Sequence, residues 1–302
     1  MDLARGEFMK QLNTRHDYLG PITDTRRWEH FEPRNDDIFV CTPPKCGTTW
    51  TQAICAMLIF ETADHGQKPG VISPWFDAMA FTPVENDAGM LEAQDHRRFI
   101  KTHSPFDGIP HYAEAQYLVV LRDPRDVFFS GLSHRDNMSE EELAFAVFPS
   151  GEDAFFNWLE RQAPDGEWDL VSLHAITHFL ATYWEHRHAP NVHLHHFSDM
   201  KRDLAGEIAK MATELSIEID DSKLAEYTEA ATFDSMKRNA EQFAPGAGSG
   251  IWKTESNFFA KGESNQWKDR LSEAELAAFD NRLAELLPPD AAQWLLHGGD
   301  PS

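Results

Sequence analysis

The chain has 302 residues, with 50 acidic against 27 basic side chains and a formal charge of -23. That length can bury a full core as one large α/β domain or two small ones, with no linker that forces two, and that charge argues against nucleic acid or an anionic membrane as a partner. No basic-then-apolar leader follows Met1 and no apolar run is long enough to span a bilayer, so a soluble, cytoplasmic protein without membrane insertion is expected. Cys41, Cys46 and Cys55 are crowded into one segment, which is no disulfide framework and fits a reducing compartment.

In chain order, residues 1–35 show no clear period; Trp28 and Phe31 read as core anchors. Residues 36–42 form a short apolar run of strand length, and Trp50, Ile54, Met57 and Leu58 keep the spacing of one helical face, so residues 36–60 read as strand, tight turn and helix. Trp75, Phe76, Phe81 and Met90 lie in a segment of weak periodicity. A second strand is predicted over 98–103 and a third, continuously apolar, over 117–121. Asp123-Pro124 then caps and starts a helix. Further helices are predicted from Ser139, whose Ser-x-x-Glu spacing to Glu142 fits a capping box, over 152–162, and from Ser172 to 187. A fourth strand is predicted over 191–197. Helices follow near 204–215 and 222–231, a mobile loop at 244–250, and a last helix over 272–287 closed by Pro288-Pro289.

Strands alternating with helices imply α/β architecture, a central parallel β-sheet flanked by helices, in a single domain over 1–302. Sites in such sheets lie beyond the carboxyl ends of the strands, and Lys45, His103 and Arg122 each fall just past such an end. In the first turn, Pro43-Pro44-Lys45-Cys46-Gly47-Thr48-Thr49-Trp50, a lysine, a glycine and two threonines meet a helix N-terminus, whose free N–H groups and dipole favour an anion. It is not the nucleoside-triphosphatase loop, because Lys45 precedes Gly47 instead of following it.

The segment Pro44-Lys45-Cys46-Gly47-Thr48-Thr49-Trp50 resembles the 5'-phosphosulfate loop of the cytosolic-type sulfotransferases, which move a sulfuryl group from 3'-phosphoadenosine 5'-phosphosulfate (PAPS) to an alcohol, phenol or amine. The resemblance extends in family order along the chain. Arg122 followed eight residues later by Ser130 matches the 3'-phosphate motif, and Lys101-Thr102-His103-Ser104-Pro105 matches the segment that carries the catalytic histidine. Residues 231–239, with Thr232, Phe233 and Met236, resemble the adenine-side segment. Residues 258–268, with Phe258, Phe259, Lys261 and Gly262, resemble the C-terminal loop.

Three departures stand out. Ala260 replaces the family's arginine, for which Lys261 or Arg238 can substitute; Phe197 replaces a tyrosine; and Cys46 replaces a serine. The resemblance implies a P-loop-like sulfotransferase fold, PAPS as donor, the desulfated nucleotide PAP as product, and no metal. It also implies His103 as base, Lys45 and Lys101 as charge-stabilising groups, and Trp50 stacked on adenine. A small, uncharged acceptor is expected, and a homodimer is left open. The alternatives are a catalytically silent adenine-nucleotide-binding module and a nucleotide kinase; the latter lacks a Walker pattern. A thiol beside Lys45 at a helix N-terminus predicts Cys46 as the most reactive cysteine, with a bland reading as a small buried hydrophobe. His174, His178, His193, His195 and His196 offer spacings for a metal, with packing as the plainer account.

Overall fold

The computed structural model describes residues 9–79, 82–139, 148–163, 167–259 and 262–301. Four strands, β1 (Ile38–Cys41), β2 (Phe99–Thr102), β3 (Gln116–Leu121) and β4 (Val192–His196), form one sheet in the order β2-β1-β3-β4. Every pairing is parallel, with Cys41 beside Thr102 and Val119, and Leu121 beside His196. In-register parallel strands bring their carboxyl ends to one rim, which is what the predicted site requires.

The apolar runs are explained by burial on both faces. Ile38, Val40, Leu118 and Val120 pack on one side with Ile54, Met57 and Ile208. Phe39, Cys41, Tyr117, Val119 and Leu121 pack on the other with Trp158, Phe179 and Tyr183. The alternation is the period of two that a pleated strand imposes.

Around the sheet run α1 (Thr48–Phe60), α2 (Pro69–Ile72), α3 (Val84–Glu92), α4 (Pro124–Asn137), α5 (Ala154–Glu160) and α6 (Leu173–Trp184). They are followed by α7 (Phe197–Arg202), α8 (Leu204–Glu214), α9 (Asp221–Ala230), α10 (Phe233–Arg238), α11 (Ala240–Phe243), α12 (Glu273–Leu286) and α13 (Pro289–His297). Two of the caps read from sequence are present: Asp123 accepts from the Arg125 N–H at the start of α4, and Ser272 and Glu275 form a reciprocal capping box on α12.

Two boundaries differ from the sequence reading. Phe197 opens α7 instead of ending β4, with the His196 side chain accepting from the Ser198 N–H as its cap. Pro289 does not end the chain's helical part but begins α13, where a missing N–H costs nothing. The helix predicted from Ser139 falls mainly on residues 140–147, outside the described residues. Residues 244–250 hold turns only.

Candidate active site

The cradle is the turn between β1 and α1. Gly47 is its N-cap in the left-handed region at φ 107°, where a Cβ would also stand 3.2 Å from the Phe197 ring, so glycine is needed twice over. Lys45 sits in the left-handed region as well, at φ 68°. Thr48, Thr49 and Trp50 open α1, whose first N–H groups have no acceptor within the helix. The Thr48 hydroxyl is hydrogen-bonded to that of Thr42 at 2.5 Å.

Cys46 departs from expectation. Its side chain is fully buried in the core on the Cys41 face of the sheet, and its N–H donates to the Pro43 carbonyl at 3.3 Å. Burial outweighs the charges of Arg122 and Lys45, and the thiol is pushed up to about 12. The reactive-thiolate expectation is therefore corrected: the helix N-terminus and the lysine are present, but desolvation is the larger effect.

Lys45 is only half-buried along its chain, yet its ammonium end is enclosed. Nζ lies 2.9 Å from His134 Nδ1 and 4.8 Å from the Phe258 ring centre. Burial, then the charges of Arg122 and Lys101, pull it down to about 7. Lys101, in β2, lies over the Trp75 ring at 4.5 Å and is lowered by burial to about 8.

His103 follows β2 and is 5% exposed. Its Nδ1 meets the Thr42 carbonyl oxygen, and its ring stands edge-on to Trp75 at 4.5 Å. A carbonyl only accepts, so Nδ1 carries the proton and Nε2 keeps a free lone pair. Burial and the neighbouring Lys101 and Lys45 hold the imidazole well below its ordinary pKa, hence neutral. The turn that bears it is braced by buried Asp77, which accepts from the Thr102 and Ser104 hydroxyls, each at 2.6 Å.

Arg122, 4% exposed at the end of β3, donates through Nη2 to the Glu263 carbonyl at 2.5 Å, stands 3.8 Å from Asp126 and covers the Phe197 ring at 4.3 Å. Its Nε–H is buried without a partner. An unanswered guanidinium donor is costly unless an acceptor is to come, which fits a phosphate. Ser130 is half-buried on α4, one turn before His134.

The remaining candidates are joined by contacts. Trp50 stands edge-on to Phe197 at 5.3 Å and donates from its indole to the Ala231 carbonyl at 2.8 Å, next to Thr232, the N-cap of α10. Buried Met236 packs with Ala53 and Phe243, and Phe259 leans on that group. Gly262, at φ 59°, lies so close to Phe233 that a Cβ would reach 2.3 Å from the ring. Lys261 and Ala260 lie outside the described residues.

Two residues escaped the sequence reading. Lys201 of α7 donates to the Gly262 carbonyl and lies close enough to Arg122 to feel its charge. His134 was legible in principle, since four residues after Ser130 is the same helical face. Of the histidines with metal-like spacings, His174 stacks on His178, His178 meets the Tyr18 hydroxyl at 2.8 Å, His193 pairs with Gln116, His195 with Glu207 and Glu214, and His196 with the Leu295 carbonyl. No group of three or more histidine, cysteine or acidic side chains able to hold a metal occurs among the described residues.

A parallel sheet whose rim gathers a phosphate-type cradle, two lysines and a neutral buried imidazole defines a group-transfer site for an anionic donor. A family model described as "Sulfotransferase domain" matches residues 35–288, and the chain belongs to the sulfotransferase family. The chain is 34% identical to a glycolipid sulfotransferase of Mycobacterium bovis over 93% of its own length and 94% of that protein's. It is 27% identical to the luciferin sulfotransferase of Photinus pyralis over 83% and 71%. Among solved structures it resembles mouse sulfotransferase SULT7A1 complexed with PAP at a TM-score of 0.69 and 22% identity, over 90% of this chain and 91% of that one. It also resembles retinol dehydratase complexed with androsterone and PAP at 0.70 and 19%, over 88% and 87%. The protein is thus a PAPS-dependent sulfotransferase. No helix among the described residues is long and apolar enough to cross a membrane.

Proposed function

We propose that the rim residues carry out direct in-line transfer of the sulfuryl group to a hydroxyl or amine of a small, uncharged acceptor. The observation that carries this reading is the Nδ1 contact of His103 with the Thr42 carbonyl, beneath the charges of Lys45 and Lys101. It leaves Nε2 as a base at a site built for negative charge. As the acceptor oxygen or nitrogen attacks sulfur, Nε2 takes its proton, a new bond to sulfur forms, and the bond from sulfur to the PAP bridging oxygen breaks. Lys45 neutralises the charge growing on that oxygen and on the 5'-phosphate, and Lys101 shares it.

In this reading Gly47, Thr48 and Thr49 hold the 5'-phosphosulfate, while Cys46 contributes no side-chain bond. Arg122 and Ser130 take the 3'-phosphate, supported by the unanswered Nε–H. Lys201 stands in for the arginine replaced by Ala260, a role that Lys261 or Arg238 is expected to fill from the sequence alone. Trp50, Thr232, Phe233 and Met236 frame the adenine with Phe258, Phe259 and Gly262 beside them, and Lys261 keeps the nucleotide-binding role that the family resemblance implies. The whole chain, 1–302, acts as one such domain, and its three buried free thiols suit the cytoplasm. Because relatives at 34% identity are glycolipid sulfotransferases, a sugar-bearing lipid is the first acceptor class to test.

The test is PAPS turnover over a panel of glycolipids, phenols, sterols and amines, with His103→Ala beside the wild type. The variant is expected to lose turnover by about a hundred- to ten-thousand-fold while PAP binding persists, because the base acts on the acceptor. Near-normal turnover would remove His103 from the mechanism.

A further inference from the structure

One imidazole at the reaction centre has no part in the steps above. His134 lies on α4, one turn past Ser130, with Nδ1 2.9 Å from Lys45 Nζ. Its ring is edge-on to Trp252 at 4.8 Å and to Phe258 at 5.8 Å, and Phe258 is the ring that covers the Lys45 ammonium. The segment bearing those aromatics is strapped to the end of α4. The Lys253 N–H donates to the Asn137 carbonyl, the Ser139 N–H to the Ile251 carbonyl, and the Asn137 amide to the Thr254 carbonyl. The imidazole is therefore held in place and directed at one atom.

An ammonium has donors only, so the bond has one sense: Lys45 donates and His134 Nδ1 accepts, with the imidazole proton on Nε2. Burial and the adjacent Lys45 and Lys101 charges keep that ring neutral. Of the other groups facing Lys45, the Phe258 ring and Cys46 favour its charge without accepting a hydrogen bond from it. Arg122 from β3 and Lys101 from β2 oppose it, His103 beyond β2 is neutral, and the Cys46 thiol in its own turn is held un-ionised by burial. His134 is the uncharged acceptor in that company.

We propose that His134 is a positioning residue for sulfuryl transfer: its Nδ1 keeps the Lys45 side chain protonated and aimed into the cradle before the donor arrives. The proposal rests on the reading of Lys45 as the transfer lysine. An acceptor stabilises the ammonium over the amine, so removing it lets Lys45 lose its proton at a lower pH. In the free enzyme this is the alkaline limb of kcat/KM for PAPS. The limb is expected to fall by about one pH unit, which is roughly a tenfold loss on its far side.

The experiment compares pH profiles of kcat/KM for PAPS, and melting temperatures, in wild type, His134→Phe, His134→Asn and Lys45→Ala. His134→Phe keeps a ring without an acceptor; His134→Leu serves if that variant does not fold. His134→Asn restores an acceptor near the Nδ1 position. The expected result is an alkaline limb displaced downward in His134→Phe and returned toward wild type in His134→Asn, a pattern that loss of packing alone would not give. A His134→Phe profile that overlays the wild type, or a His134→Asn limb displaced as far as that of His134→Phe, overturns the proposal while leaving Lys45 in place. If Lys45→Ala retains wild-type kinetics, the reading of Lys45 itself fails, and this inference with it.

Discussion

At the rim, Lys45 and Lys101 are enclosed without a carboxylate ion-pair partner among the described residues, and both are drawn toward neutrality by burial. At the β4 edge of the same sheet, His195 is equally buried but has both ring nitrogens against carboxylates, Glu207 at 2.7 Å and Glu214 at 2.8 Å. Those two acids are seven residues apart on α8, two turns along one face, so a single helix grips the imidazole from both ends. The first region holds positive charge that its own residues leave unbalanced; the second is internally balanced. Buried charge of one sign destabilises a fold unless an answering charge arrives, so the rim is arranged for an anionic ligand and the edge for stability.

Substitution at the rim should therefore change ligand binding, and substitution at the edge should change stability. The largest effect expected after those on turnover is at Arg122. In the wild type, PAP should raise the melting temperature more than adenosine 5'-phosphate does, because only PAP offers a 3'-phosphate to the unanswered Nε–H. A charge-assisted bond of about 1.5–3 kcal/mol corresponds to a loss of roughly ten- to a hundredfold in PAP affinity for Arg122→Ala, with little change for the monophosphate. Equal thermal shifts by both nucleotides in the wild type would place no 3'-phosphate site at Arg122.

The edge supplies the converse. Burial disfavours the His195 imidazolium, but the bonds to Glu207 and Glu214 outweigh it, and its pKa is raised above the ordinary 6.5. A raised folded-state pKa contributes stability that is fully present below the unfolded pKa and is lost as pH rises through the folded one. His195→Gln should thus cost about 2 kcal/mol at pH 6, in proportion to a hydrogen bond made by a charged group, and less as pH climbs. Denaturant melts of both proteins from pH 6 to 9 measure this, and a gap that widens with pH would contradict it. PAP affinity should be unaffected.

The strands and the rim were legible because the apolar runs have strand length, each of three ends with a polar residue of the right kind, and a parallel sheet leaves such residues nowhere else to meet. The Lys45, His103 and Arg122 placements follow from that. What was not legible depended on tertiary packing. Phe197 reads as the last apolar residue of a strand, but it starts a helix and serves as the surface on which Gly47, Trp50 and Arg122 converge. Residues 84–92 form α3 although only Asp87 and Leu91 of that helix are buried, too thin a stripe to show as a period. Pro288-Pro289 reads as a stop because proline ends helices, yet the second proline equally begins one.

Cys46 is where the comparison between rim and edge is sharpest and the expected effect smallest. It stands in the rim sequence, between Lys45 and Gly47, and the charges of Arg122 and Lys45 do favour its thiolate. Its side chain, however, is buried in the core cluster on the Cys41 face of the sheet, with no exposed surface. Transfer of a thiolate into apolar surroundings costs more than those charges return, so the thiol stays protonated and sterically shut off. A brief iodoacetamide pulse at pH 7.5, read by mass spectrometry, should therefore leave Cys46 as unlabelled as Cys41 and Cys55, which are buried too. Turnover should be unchanged by the treatment, and saturating PAP should make no difference because there is nothing to protect. Labelling should appear only when denaturant opens the core. Rapid native-state modification of Cys46 that PAP suppresses would mean that the thiol faces the cradle after all, and that the serine-to-cysteine departure gives the site a redox-sensitive group instead of a core contact.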